Sequence, residues 1–452
     1  MRPLVLLRSG FTLAVLLAAG PAALAQVPAD TLRTDSVAVA PTVPAGPDPE
    51  ANEPDAGDPG SLNDGTQVDD GRVRLRPRLS PSALYSANRG FGIGGGVAVD
   101  NLGWPGSEVA VDVSAQQRYL SAGVTVFTGD PFEEVVHGLL TATVGRASRR
   151  QFFGVGPFTG GNLPVYLSHV EFDAEARLGV YPFGNTVLLV QPGVRFLADR
   201  TGAEIREDSP ASLGDLSPAS QAAVDPTLGE TRSGVSAGIE IASDLRDWAP
   251  YARTGTFVAL EARRFFAFDD SQLRFNRYSL QTTGYLPIYN RAVLIGTVTG
   301  IVTRQNDADG DGAADPLPYY YLPTLDEPVA AAYRQDRLAA RDVFAVGLGV
   351  RAPLYDFLGV YGFDAVVMGY LGNAYDDLFR QFSPGVSFRQ DPEADEGGRA
   401  ELRPALGIGI GLVNLDKERV VLGALIGVGA GGVKMASIRV AYDLRDSRPL
   451  FR

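Results

Sequence analysis

The chain has 452 residues, a formal net charge of -13, no cysteine, and two histidines, His137 and His169. An acidic balance is a poor match for nucleic acid, whose phosphates need lysine and arginine. The lack of thiols excludes disulfides and thiolate metal sites, and two histidines leave little material for a histidine-centred triad or a histidine-rich metal centre.

The sequence opens MRPLVLLRSGFTLAVLLAAGPAALAQ. Arg2 and Arg8 make a positive start, and Phe11 to Ala19 is an apolar stretch too short to span a bilayer. Ala23-Leu24-Ala25 reads as a small-residue cleavage site. A secretory signal peptide is expected over residues 1–25. Residues 26–72 are rich in Pro, Asp, Gly and Ala and nearly lack aromatic and long aliphatic side chains. Such a segment buries too little apolar surface to offset its ordering entropy, so a disordered linker is expected.

From residue 73 to 452 the pattern is alternation. Val109, Val111 and Val113 oppose Glu108, Asp112 and Ser114. Val170, Phe172, Ala174, Ala176 and Leu178 oppose His169, Glu171, Asp173, Glu175 and Arg177. Val258 and Leu260 oppose Glu261 and Arg263, and Leu406, Ile408 and Ile410 oppose Gly407, Gly409 and Gly411. Successive side chains of a strand point to opposite faces, so the domain is all-β. Strands are expected near 75–88, 90–99, 107–117, 119–128, 135–146, 166–181, 186–202, 232–245, 254–267, 273–287, 291–304, 341–354, 357–372, 400–414, 419–430 and 434–445. Many are ten residues or longer, against the five or six usual in soluble proteins and the ~9–11 of tilted membrane strands. The longest apolar run, Val420 to Val433, is well short of the ~20 residues of a membrane helix.

The long connections, 147–165, 203–231, 305–340 and 373–399, each join an odd-numbered strand to the next even one. In a meander, alternate connections lie on opposite rims, so the long loops share one rim. Long loops on one rim and short turns on the other are the layout of an outer-membrane barrel of about sixteen strands. Trp104 and Trp248 fall on the short-turn rim. The apolar faces then meet lipid, and Glu261 and Arg263 face the lumen.

Two motifs invite chemical readings. Asp307, Asp309, Asp311 and Asp315 have the spacing of part of a calcium loop, with Gly312 at its glycine position. Pro318 stands where the bidentate glutamate belongs, which leaves two readings, a solvated acidic tip and a structural Ca²⁺ site; no other cofactor is expected. Glycine runs such as GIGGGVAVDN and GIGIGLVN lie inside strands with no following helix, so they read as curvature or close packing, not phosphate cradles.

Several stretches carry a family resemblance. RGFGIGGGVAVDNLGWPGSEVAVDV resembles the opening hairpins of the BamA/TamA-like surface-antigen barrels. RRQFFGVGP, Arg149 to Pro157, is similar to their F-Y-G-x-G segment, and SDLRDWAPYARTGTFVALEA resembles one of their turns. PYYYLPTLDEPVAAAYRQDRL sits where that family has the loop between strands eleven and twelve, which folds back into the lumen with an Arg-Gly-aromatic tip. Here the tip reads Ala331-Ala332-Tyr333, followed by Arg334 and Arg337, and Asp364 stands near the place of the tip's acidic partner. The resemblance implies a sixteen-stranded outer-membrane barrel with outer-membrane lipid and a periplasmic or client protein as partners. Its work would be non-enzymatic, in protein or lipid assembly or translocation. The alternatives are a passive or selective pore with Glu171, Asp173, Glu175, Arg177 and Glu261 in the lumen, and a lipid-acting enzyme, for which the sequence displays no nucleophile–base pair.

Overall fold

The computed structural model describes residues 74–78, 84–86, 90–101, 107–128, 136–159, 163–180, 188–200, 203–230, 232–247, 251–268, 273–289, 291–305, 316–325, 332–333, 336–357, 360–389, 398–414, 419–429 and 432–440. The segments expected as signal peptide and linker, both tryptophans, the four aspartates of the acidic loop and Arg334 lie outside these residues.

The described residues form one antiparallel meander, which we number β1 to β16. β1 comes in two pieces, Arg74–Arg78 and Leu84–Ser86, paired to the same edge of β2, Gly90–Asp100. There follow β3 Glu108–Gln116, β4 Tyr119–Phe127, β5 Val136–Phe152, β6 Val165–Val180, β7 Leu188–Arg200, β8 Arg232–Asp244 and β9 Gly255–Ala267. The meander continues with β10 Arg274–Tyr289, β11 Ala292–Gln305, β12 Asp342–Phe357, β13 Tyr361–Tyr375, β14 Ala400–Asn414, β15 Arg419–Gly429 and β16 Gly432–Val440. Each strand pairs with the next, and two short strands, Glu204–Ile205 and Phe382–Val386, sit in long loops beside the helices Pro218–Val224 and Leu378–Gln381. The strands follow those read from alternation, apart from the break in β1, a longer β5, and a β12–β13 hairpin whose turn falls three to four residues later than expected; residues 441–445 of the last expected strand lie outside the described residues. β16 comes back to β1 through one residue pair, Ile438↔Tyr85.

The two faces separate as the pattern requires. Ile93, Val113, Leu120, Leu140, Leu178, Ile239, Leu260, Leu348, Ile408 and Ile426 are exposed on the outer face. Their strand neighbours, Ser114, Ser121, Thr141, Ser236 and Met368 among them, are buried on the inner one. Large apolar side chains left outside a polar-lined wall invert the arrangement of a soluble protein, and only lipid makes that favourable. The long loops do meet on one rim. The Gly156 amide donates to the Ala339 carbonyl at 2.9 Å, and the Val155 amide donates to Ser220 Oγ at 2.8 Å.

Ile408→Arg is expected to lower folding stability in lipid vesicles by roughly 2–4 kcal/mol if the position is mid-membrane, whereas Gln281→Arg on the inner face is mild. Equal losses in urea titrations of the two variants would refute the assignment of faces.

Candidate functional site

Sixteen strands enclose more width than wall side chains alone fill, so the contents of the lumen decide what the barrel can do. Along β11 to β15 apolar and small inner residues, Val293, Ile295, Val343, Ala345, Met368 and Ala405 among them, form a seat beside buried polar residues such as Thr299, Arg351, Asp364 and Arg403, and the loop between β11 and β12 packs onto it. Leu325, Ala332, Tyr333 and Leu338 from the loop form one buried cluster with Val293, Ile295, Val343, Ala345, Met368 and Tyr370 from the wall. The loop's two limbs pair with each other, the Leu325 amide donating to the Leu338 carbonyl at 2.8 Å. Earlier in the same loop, the Tyr321 ring packs at a tilt against Phe265 and Phe275, with ring centroids 4.7 and 5.7 Å away.

The tip seats on glycine. A Cβ on Gly427 would collide with the Ala332 carbonyl, and one on Gly407 would lie 3.3 Å from the Ala332 side chain. These glycines belong to the runs GIGIGL and LIGVGAGG, so close packing against the loop is part of why the runs exist. Tyr333 is buried, packs against Tyr370 with centroids 6.3 Å apart, and donates its hydroxyl hydrogen bond to the Arg403 carbonyl.

The loop is also tied by charge. Asp336 accepts from Arg150 at 3.1 Å, and the Arg337 guanidinium lies 4.3 Å from the Phe153 ring centroid. Arg403 is fully buried and donates to the Pro157 carbonyl. The RRQFFGVGP stretch is therefore a dock for the lumen loop, with Gly154 and Gly156 at φ of 111° and 101°, values that favour glycine. On β6, His169 Nδ1 lies 3.0 Å from the Tyr319 hydroxyl and Nε2 lies 3.5 Å from Glu171, which accepts from Tyr119 at 2.9 Å. His169 thus holds the loop to the wall.

The inner wall of β6, β8 and β9 is charged instead. Arg263 bridges Glu175 at 2.9 Å and Glu261 at 2.7 Å, and Arg177 contacts Glu175 at 3.1 Å and Glu240 at 3.8 Å. Gly193 and Gly238 stand opposite Arg177 and Arg263, leaving room for both guanidinium stems. The lumen thus holds the packed loop on one side and a row of paired charges on the other.

Asp364 is placed away from the loop tip. It is buried, accepts from the Tyr251 hydroxyl, and lies 3.9 Å from Arg351, whose guanidinium stacks 3.8 Å from the Tyr251 ring centroid. Tyr251 belongs to the turn between β8 and β9, on the opposite rim. Burial pushes its phenol up, so it stays protonated and able to donate. Of the residues singled out for the lumen loop, Tyr333 and Arg337 come together in the plug and Asp364 does not. Tyr333 finds a backbone carbonyl in place of an acidic partner. Arg351, Arg403 and Tyr251 went unnoticed as site residues; for the two arginines, the available signal was a charge at an inward position of an otherwise apolar strand. Among the described residues no group of three or more His, Asp or Glu is placed to hold a metal ion.

No family model and no curated protein matches the sequence. Among solved structures the chain is similar to BamA from Haemophilus ducreyi lacking POTRA domains 1–3, at 8% identity and a TM-score of 0.54, covering 81% of this chain and 69% of that one. It is also similar to CdiB from Acinetobacter baumannii, at 11% identity and a TM-score of 0.46, and to CdiB from Escherichia coli, at 9% and 0.45. Each CdiB match covers 81% of this chain, and it spans 60% and 61% of those two chains. The BamA likeness establishes the fold, an all-β barrel of that type. With an apolar outer band, such a barrel resides in the bacterial outer membrane.

Gly427→Val is expected to push the loop tip off β15, because the valine side chain occupies the place of the Ala332 backbone. A nitroxide at position 333 would then change from an immobilised to a mobile electron-spin-resonance line shape, with heat-modifiable gel migration retained. An unchanged line shape would mean that the tip does not rest on Gly427.

Proposed function

We propose that this barrel handles polypeptide clients at the outer membrane, by an opening in its wall rather than by chemistry. The observation that carries the reading is the seam. Among the described residues β16 meets β1 at Ile438↔Tyr85 alone, while β12 and β13 share a ladder from Asp342↔Tyr375 to Phe357↔Tyr361. A strand edge with unpaired amides and carbonyls is a template for strand addition, and in lipid an unpaired edge is more costly than in water. An incoming client strand would satisfy both edges at once. The resemblance to barrels that insert or translocate proteins supports the same reading, as does a lumen part-filled by its own loop. The work is mechanical and asks for no nucleophile, metal or cofactor.

A selective pore is the second reading, favoured by the Glu175, Arg177, Glu240, Glu261 and Arg263 row. Charged side chains lining a passage set ion preference in channels.

A staple tests the seam. In Tyr85→Cys/Ile438→Cys, oxidation should lock the wall shut, and insertion of an unfolded barrel precursor into vesicles should fall to the rate of protein-free vesicles. Adding a reductant should restore it. Equal insertion by oxidised and reduced protein would overturn the seam reading, and folding is followed independently by gel migration.

A further inference from the structure

We propose that three arginines on the outer face of β9, β10 and β11, near the long-loop rim, hold the phosphate headgroup of an outer-leaflet lipid. The inference stands on the outer wall and is independent of the seam reading.

The parity that turns Glu261 and Arg263 inward turns Arg264 outward, on the face of Leu260. Arg264 stands directly opposite Asn276 of β10, and Asn276 stands directly opposite Arg304 of β11. Adjacent strands lie about 4.8 Å apart, so the two arginine stems are roughly 10 Å apart with the asparagine between them. Arg274 shares that face of β10, opposite Phe266. Next toward the middle of the wall comes Tyr278, 50% exposed, and then Leu280 opposite Leu260. The outer surface thus changes from apolar to basic within one side-chain step. The step lies near a rim, since β9 ends at Ala267 and β10 begins at Arg274. Their link joins an odd strand to an even one, which puts it on the long-loop rim, the external side of such a barrel.

Arg263 and Arg264 are consecutive and differently treated. Arg263, facing the lumen, touches two carboxylates. Arg264 is exposed, with its guanidinium 5.1 Å from the Phe266 ring centroid. Arg274 is exposed as well, and among the described residues neither has a carboxylate partner; Asp269 and Asp270 of the link lie outside those residues. Arg304 is anchored by Asp342 at 3.0 Å, with Asp377 at 3.8 Å, and its side chain is still 40% exposed. Arg264 and Arg274 are diagonal neighbours within reach of each other, and like charges so placed repel. Arginine on a lipid-facing strand is also unfavourable except near the interface. A phosphate at the rim answers both, because the guanidinium fork donates two parallel hydrogen bonds to it, and the Asn276 amide offers a further donor. The apolar band directly below, with Tyr278 and Leu260, is where acyl chains lie. That continuity selects a phosphorylated lipid over a soluble anion.

The test uses the folded full-length protein in a neutral detergent, with binding read by native mass spectrometry. Three probes are compared: diphosphorylated lipid A, the same lipid without its phosphates, and inorganic phosphate. The parent should retain diphosphorylated lipid A and neither of the others. Arg264→Gln/Arg274→Gln should weaken that binding roughly thirtyfold, a factor of about five to six for each basic residue beside an anionic lipid surface. Arg146→Gln/Arg206→Gln removes the same charge elsewhere near the same rim and should leave binding unchanged. Equal losses in the two double variants would overturn the site in favour of general charge attraction. Retention of the dephosphorylated lipid or of inorganic phosphate to the same extent, or of no probe at all, would overturn a phosphorylated lipid as the occupant. Heat-modifiable migration reports folding. If the glutamine variant does not fold, Asn276→Asp takes its place. It sets a carboxylate between Arg264 and Arg304 and should likewise weaken lipid binding, and unchanged binding there overturns the proposal.

Discussion

In hydrocarbon no water is present to pair a backbone amide or carbonyl, so a chain that crosses it must pair every such group within itself. The rest of this structure follows from that requirement. Strands β2 to β15, nine to seventeen residues long, pair with both neighbours around the meander, and their side chains divide by parity into an apolar outer band and an inner wall. Polar and glycine-rich inner positions are tolerated because they never meet lipid. The seam between β16 and β1 is where the requirement is least satisfied among the described residues, and so it is where an added strand gains most.

A wall that obeys this rule creates a second problem, a lumen too wide for its own side chains. Two solutions stand side by side. On β10 to β15 small and apolar inner residues accept a loop from one rim and a turn from the other, and Gly407 and Gly427 let the loop backbone approach closely. On β6, β8 and β9 the space is taken by arginine and glutamate, each cation touching two carboxylates. Removing one such side chain leaves a partner unpaired, so the row behaves as a unit. The buried arginines at 337, 351 and 403 obey the same logic, meeting a ring, a carbonyl or a carboxylate.

The wall was legible in the sequence because its signal is local. Period-two alternation fixed parity and strand length, as in β9, where Leu260 is outside and Glu261 and Arg263 are inside. The rim assignment of long loops also followed from counting connections. What fills the lumen was only partly legible. Tyr333 was placed inside by family resemblance, not by its neighbours in sequence. The resemblance offers Asp364 as its partner by strand alone and slightly out of register, and a strand number does not fix height along the lumen. Tyr251 looked like any turn aromatic, since its role depends on Arg351 and Asp364, a hundred and more residues away. Contacts across a lumen leave no periodic trace.

The account depends most on the loop between β11 and β12 lying inside the barrel. The chain has no cysteine to interfere, so single cysteines at position 333, which is 2% exposed, and at position 388, which is 81% exposed, can be compared directly. With folded protein in vesicles and a membrane-impermeant maleimide, the cysteine at 388 should label fast and the one at 333 should label slowly until the protein is denatured. Equal rates at the two positions would place the loop in solvent and contradict the account.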